Sequence, residues 1–452
     1  MQRDWIGDLI AKLHSGAISR RDFAKRAAAI GLSASLIGQA INSAAAQDAS
    51  PEASIGDKAS DIGQQDVEHV TDTSKGTIKL YSSWPLTGSS EQIGGDAVQA
   101  TKLALEDFGN AAGGFALTYE AMDDGIAANN GSWDGPTEAN NATKAINDAD
   151  CMVYMGTYNS GAAQISIPLT NEAGLAQISY ANTYVGLTRA LEGVTEEGEP
   201  DKFYPTGKRN YMRTIVADDI QGTAAARWAY NENGNRKAYV LHDNQPYGKG
   251  VAGVFRLEFE KLGGEVLGFE GYVPDAGDYQ SLMSGIADQG PDIVYLGAIV
   301  NLNASKLLQD LRDFMPADQV TFLGPDGLIN EDFVKGAGEA AEGAYLTFGG
   351  VPAGSLEGPG ADYAKRMTDI LGHTPDAYAM YAYETAVVVI QGIDKAAEKD
   401  RAKILDAMLG TKDFYSLLGG SWSFTETGDT DSTRMGLNQI QGGQIVYLKA
   451  IG

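Results

Sequence analysis

Cys151-Met152-Val153-Tyr154-Met155-Gly156, running through Tyr158 into Asn159-Ser160-Gly161-Ala162-Ala163, decides the fold: an apolar, β-rich run ends in a polar loop that opens a helix. The same switch from strand to helix recurs on either side. Thr77–Ser82 and Ala116–Ala121 precede it as strands and Ala176–Tyr180 follows. Between them lie helical stretches, one with Val98, Leu105 and Phe108 at helical spacing and another around Thr143–Asn147. Strands alternating with helices predict a parallel sheet. A second block repeats the scheme with strands Lys237–Leu241, Glu265–Gly271, Ile293–Ala298, Thr321–Gly324 and Ala344–Phe348, and helices such as Gly250–Lys261 and Asn303–Asp313. Two α/β lobes result. The helices Tyr378–Glu398 and Arg401–Leu409 and a last strand, Asn438–Leu448, are too few for a third lobe and are expected to complete the first two.

Composition narrows the function. Thirty-four Lys and Arg against 60 Asp and Glu give a net charge of -26 over 452 residues, which argues against nucleic-acid binding. The 43% hydrophobic content is enough for a core in each lobe. A single cysteine, Cys151, allows no internal disulfide and reads as a buried small hydrophobe, and four scattered histidines offer no zinc cluster. No Walker-type loop or Gly-x-Ser-x-Gly elbow is present. Gly336-Ala337-Gly338 follows a helix-like segment where a dinucleotide site needs a strand, so no cofactor is expected.

Residues 1–46 carry the opposite charge, six Lys or Arg against three Asp; without them 28 bases face 57 acids, a net -29. Ser19-Arg20-Arg21-Asp22-Phe23-Ala24-Lys25, the mildly apolar run Ala27–Ile41 and Ala44-Ala45-Ala46 resemble a twin-arginine export signal, with cleavage expected after Ala46. Residues 47–76, rich in Asp, Ser, Gln and Ala, read as a flexible acidic leader. The mature protein is expected to be periplasmic or extracellular.

Ligands of open parallel sheets bind beyond the carboxyl ends of the strands, where loops vary and helix N-termini present unpaired amides. Those ends deliver Trp84 to Gly88, Asp123-Asp124-Gly125, Tyr158 to Gly161 and Ala181 to Thr183 in the first block, and Asp243 to Gly248, Ile299 to Asn301 and Pro325 to Gly327 in the second. The Ser160 hydroxyl and the amides after it suit a carboxylate, or are a plain helix cap. Asp123-Asp124 is a turn and cap or a ligand pair. Tyr247, between Pro246 and Gly248, is a cleft wall or a surface turn.

Taken together, these residues resemble the class I periplasmic solute-binding proteins of ABC importers, the leucine/isoleucine/valine-binding type, over 77–452. The likeness rests on Pro85-Leu86-Thr87-Gly88, Asp123-Asp124, Gly156 with Ser160-Gly161, Ile178-Ser179 with Ala181 and Thr183, Tyr247-Gly248-Lys249-Gly250, Pro291 to Tyr295, Gly324-Pro325-Asp326-Gly327, and Trp422-Ser423-Phe424 before Gly428-Asp429. The resemblance implies the type I fold: two Rossmann-like lobes with parallel-type sheets, joined by a three-strand hinge crossing near Arg213, Phe348 and Thr425. The N-terminal lobe would comprise 77–213 with 348–424, and the C-terminal lobe 214–347 with 425–452. Such proteins close on a small solute and dock on a membrane permease; they do no chemistry on the solute. By motif position Ser160, the Gly161 amide and Thr183 would hold an α-carboxylate, the Ala181 carbonyl and Asp326 an α-ammonium, and Tyr247 and Tyr378 would line the pocket.

Two positions depart from the amino-acid binders. Asp326 stands where they carry glutamate, and Ile299 where they often place an aromatic. An amino acid, a related amide or an organic acid therefore remains open as the solute. A sensing receptor for a signalling partner shares the fold. A secreted hydrolase using Asp123-Asp124 is disfavoured, because adjacent residues at a strand end point in opposite directions.

Overall fold

The protein is described by a computed structural model that covers residues 62–452. The expected export signal, 1–46, and residues 47–61 of the expected leader lie outside the described residues.

The first sheet runs in the order β2-β3-β1-β4-β5-β6. Its strands are β1 (Thr77–Trp84), β2 (Ala111–Ala112), β3 (Phe115–Asp123), β4 (Cys151–Gly156), β5 (Ala176–Ser179) and β6 (Tyr211–Arg213). Every pairing in it is parallel except β2 with β3. β4 is buried along its whole length, as a strand covered on both faces must be. The Cys151 thiol is buried there, and burial pushes its pKa up to about 12.

The second sheet runs β15-β14-β11-β10-β9-β7-β8. It contains β7 (Lys237–His242), β8 (Glu265–Gly271), β9 (Ile293–Gly297), β10 (Thr321–Gly324) and β11 (Tyr345–Phe348), all parallel. A two-stranded ribbon, β12 (Phe414–Tyr415) with β13 (Ser421–Trp422), stands apart. Where one last strand was expected over Asn438–Leu448, the chain forms an antiparallel hairpin, β14 (Met435–Gln441) and β15 (Gln444–Ile451). Gly442 and Gly443 both take positive φ at its tip, the geometry a two-residue hairpin loop demands.

The chain passes from one lobe to the other three times. After Arg213 it enters helix Asp218–Arg227, which packs on helix Pro246–Lys261 beside the second sheet. After Phe348 it returns to helix Ala379–Ala396, which packs on helix Glu91–Asp107 beside the first. After Phe424 it crosses again to reach β14.

The leader departs from the expected flexible segment. From Ile62, which is buried, residues up to 76 form a strap on the first lobe. Gly63 bridges Tyr415, and the Gln64 amide donates to the Gln391 side chain at 2.9 Å. His69 lies 2.8 Å from Asp394, and the Lys75 ammonium donates to the Gly113 and Ala397 carbonyls at 2.8 Å each. Helix Ala379–Ala396 supplies the partners that composition alone does not reveal. A helix over Pro359–Leu371 was likewise unforeseen.

Candidate functional site

The loop after β4 carries Ser160 into the cleft between the lobes. Ser160 is the first residue of helix Ser160–Glu172; Asn159 occupies the cap position in an extended conformation without capping through its side chain. The plain-cap alternative for Ser160 therefore does not describe it. Its buried hydroxyl accepts from the Tyr184 amide at 3.3 Å, which leaves its hydrogen to give. Gly161 follows because a Cβ there would run into the Trp133 indole.

The loop after β5 brings Ala181 and Thr183 alongside. Ser179 shapes it by accepting from the amides of Ala181 and Asn182 at 3.0 and 2.9 Å. Beneath it lies the buried guanidinium of Arg213, which donates to the carbonyls of Asn182 at 3.1 Å and Tyr184 at 2.9 Å. With these two carbonyls held below, the Ala181 carbonyl is left free among the described residues. The Thr183 hydroxyl is buried without a partner. Arg213 is itself paired with Asp429 at 2.6 Å, so the first and third crossings are tied together directly under this loop. Arg189 joins from the side, 2.9 Å from Asp429.

The second lobe supplies Tyr247, Ile299 and Asp326. Tyr247 is neither a surface turn nor a loop aromatic: it lies buried in the first turn of helix Pro246–Lys261. Its hydroxyl donates to Asp326 Oδ1 at 2.5 Å and accepts from the Gly327 amide at 2.8 Å. Tyr378, at the head of the first-lobe helix, donates to Asp326 Oδ2 at 2.7 Å. One carboxylate is thus held from both lobes. Tyr158 stacks edge-on against Tyr378 at 5.4 Å, and the two tyrosines, Ser160, Ala181, Tyr247, Ile299 and Asp326 line one cavity. It measures about 20 Å³, the space of one water, so a solute must part these side chains to enter. Further contacts close the cleft, Asn301 with Ser90, Lys249 with Glu196 at 2.9 Å and Asn330 with Asp376 at 3.3 Å.

Asp218, to which the sequence reading gave no role, lies behind the loop that carries Thr183. Its carboxylate is fully buried with no hydrogen-bond partner, and its backbone amide donates to the Thr183 carbonyl at 2.9 Å. Burial raises its pKa well above the usual range, and the nearby Asp326 raises it further. Burial also lifts Asp326, against the pull of the Tyr247 and Tyr378 hydroxyls. Asp326 thus lies close enough to raise Asp218, but only Asp326 lines the cavity, and a cation beside it would relieve both. An Asp-Asp pair opening a helix just after a strand was the available signal, since one of the two had to turn inward. The other pair splits differently. Asp123 accepts from the Leu86 and Gly125 amides at 2.8 Å each, while Asp124 is buried apart from the cavity, so Asp123-Asp124 does not converge on a solute. Among the described residues no group of three or more His, Cys, Asp or Glu is placed to hold a metal ion.

The profile of the periplasmic binding protein family matches residues 77–444. The chain belongs to the periplasmic binding protein family. Among its relatives, the leucine-, isoleucine-, valine-, threonine- and alanine-binding protein of Pseudomonas aeruginosa is 26% identical over 356 residues, spanning 78% of this chain and 87% of that one. A Leu/Ile/Val-binding protein homologue of Brucella abortus is 27% identical over 360 residues, 79% of this chain and 88% of the relative. In fold the family likeness is equally broad. The leucine-binding protein of Thermotoga maritima superposes with a TM-score of 0.72 at 21% identity, covering 83% of this chain and 99% of that one. A solute-binding protein of an ABC transporter from R. palustris, in complex with benzoate, gives 0.68 at 21% identity, covering 83% and 96%. The two-lobed α/β architecture with parallel-dominated sheets is the type I periplasmic binding protein fold expected from the sequence.

Proposed function

We propose that this protein is the exported solute receptor of an ABC importer and that its solute is an α-amino acid, held at the interlobe cleft and delivered unchanged to a membrane permease. One observation carries the amino-acid reading: the buried Asp326 carboxyl, contributed by the second lobe, lines the same cavity as the Ser160 hydroxyl at the start of its first-lobe helix. Carboxylate donors from one lobe and a carboxyl acceptor from the other match a zwitterion. Ser160, the Gly161 amide and Thr183 take the carboxylate; the Ala181 carbonyl and Asp326 take the ammonium, with Asp218 close behind Asp326. Tyr247 and Tyr378 close over it as the lobes approach about the three crossings.

Relatives that bind leucine, isoleucine, valine, threonine and alanine support this reading, whereas the benzoate complex shows that the fold also accepts an acid without an amine. The two carboxyls favour the amine. Export by the twin-arginine route with cleavage after Ala46 agrees with such a role, and no described helix is long and apolar enough to cross a membrane. N-terminal sequencing of the exported protein is expected to begin at Gln47. The deciding experiment is titration calorimetry with the twenty amino acids and a set of benzoates, followed by mass spectrometry of the recovered solute. An amino acid bound and returned unaltered supports the receptor; tight binding of benzoates alone removes the ammonium assignment, and a chemically changed solute removes the receptor.

A further inference from the structure

Beyond the pinched cavity at Asp326 the cleft widens into a second chamber of about 710 Å³, within the range of small-molecule sites. Three residues join the two spaces. Trp133 lies against Gly161 in the first turn of the carboxylate helix, Val300 follows Ile299, and Gln245 precedes Tyr247 by two residues. Both lobes contribute walls, the first with Ser89 and the loop 128–133, the second with loops 274–276 and 300–305.

The chamber's chemistry is uneven in a chain where 21% of residues are charged. Asp275 is the one ionisable side chain in its lining, which otherwise offers five side-chain amides, among them Asn129 and Gln245, with serine hydroxyls and the Trp133 indole, beside small apolar patches from the loops 274–276 and 300–302. Among the described residues, the side-chain amides of Asn129 and Gln245 make no hydrogen bond within the protein. Neutral donors and acceptors around one broad aromatic face suit a group that is hydrated but uncharged. A long apolar chain would strip water from those amides without replacing its hydrogen bonds; an added anion would meet Asp275 as a like charge, and an added cation would have only that one carboxylate to offset its desolvation.

The sizes of the two spaces assign them different parts of one solute. The inner cavity admits the amine and carboxylate once Tyr158, Tyr247 and Tyr378 part, and whatever follows the β-carbon must lie outward. We propose that the chamber is a side-chain subsite and that the solute is an amino acid bearing a neutral, hydroxyl- or amide-rich extension. The proposal rests on the amino-acid reading of the inner site and adds the substrate class to it.

The test compares four L-amino acids by calorimetry: alanine as the bare head, O-glucosylserine and γ-glutamylethylamide as hydroxyl and amide extensions, and 2-aminooctanoate as the apolar control. At least one neutral polar extension is expected to bind ten-fold or more tightly than both alanine and 2-aminooctanoate, and which of the two does so identifies the hydroxyl or the amide source. Gln245→Ala and Asn129→Ala are expected to erase most of that advantage while leaving alanine affinity and melting temperature unchanged. Alanine bound as tightly as every extended probe, or 2-aminooctanoate bound tightest, overturns the subsite while the inner reading stands. An advantage untouched by both variants overturns it as well. Failure of all four to bind overturns the inner reading and this proposal with it.

Discussion

The Tyr378 hydroxyl, carried by the first lobe, lies 2.7 Å from Asp326 Oδ2 in the second. With Tyr247 on the other oxygen at 2.5 Å, the carboxylate has a donor at each oxygen before any solute arrives. An ammonium must therefore compete with, or add to, hydroxyl donors, and it wins because it brings a full charge into a desolvated site. Asp326→Asn is expected to cost about 2 to 5 kcal/mol of binding for an amino acid, since one buried charge partner is lost. For an acid without an amine the change is expected to be neutral or favourable. Calorimetry with matched pairs of amino acids and their deaminated analogues reads both.

The opposite wall answers to different changes. Ser160→Ala and Thr183→Ala are each expected to weaken amino-acid binding about ten-fold or more, the value of a charge-assisted hydrogen bond. Asp218→Asn tests the second carboxyl: it keeps the volume but cannot ionise, and is expected to lower affinity for amines while raising the melting temperature of the free protein at alkaline pH, where a buried, unpartnered carboxyl would have to carry charge. Equal affinity and equal melting in Asp218→Asn would leave that residue outside the site.

Solution scattering tests the motion. Adding solute is expected to lower the radius of gyration with no change in circular dichroism, and Tyr378→Phe, which lacks the hydroxyl that spans the cleft, is expected to expand the free protein. No compaction on tight binding would remove hinge closure.

The hinge itself is a stability site. Arg213 is buried, pairs with Asp429 at 2.6 Å and holds two carbonyls of the loop that presents Thr183. Arg213→Met strands Asp429 with Arg189 as its remaining cation and is expected to destabilise the protein by about 3 kcal/mol in urea unfolding, the low end for a broken buried pair. Solute affinity should fall with it, as the loop loses its support.

Acidity has a definite sign. Burial pushes the carboxyls of Glu138, Asp243, Asp376 and Glu384 up to about 7 each. In the unfolded chain such groups titrate near 4. Between those values the folded state binds more protons, so the stability these groups contribute is present at low pH and is lost as pH rises through about 7. The melting temperature is expected to be higher near pH 5.5 than near pH 8. Glu138→Gln, whose single oxygen can accept from one of Ser83 and Tyr154 while its amide donates to the other hydroxyl, should flatten part of that slope.

Much of this was legible in the sequence because strand-to-helix switching is a local signal. β8, β10 and the helix Arg401–Leu409 fall on the residues that periodicity marks, and the strand ends gather Ser160, Ala181, Tyr247 and Asp326 at one cavity, which Tyr378, expected from the family resemblance alone, joins from the head of a helix. What stayed hidden depends on distant partners. Asp218 looks like surface charge until Thr183 and Asp326 are seen beside it, and the strap 62–76 looks unstructured until Gln391 and Asp394 are placed under it. The hairpin was the exception, since Gly442-Gly443 stood in plain view within a run read as one strand.

That strap has a consequence for synthesis. Gln64 and Gln391 are 327 residues apart in the chain, and His69 is 325 from Asp394, so although Lys75 finds Gly113 early, the strap is complete only when almost the whole polypeptide has left the ribosome. The second lobe, largely continuous from Asp218 to Phe348, can assemble while the first still lacks its helix Ala379–Ala396 and the edge that Tyr415 gives to Gly63. Maturation therefore runs outward from the middle of the gene product, and the last few dozen codons decide when the N-terminal half becomes resistant to proteases.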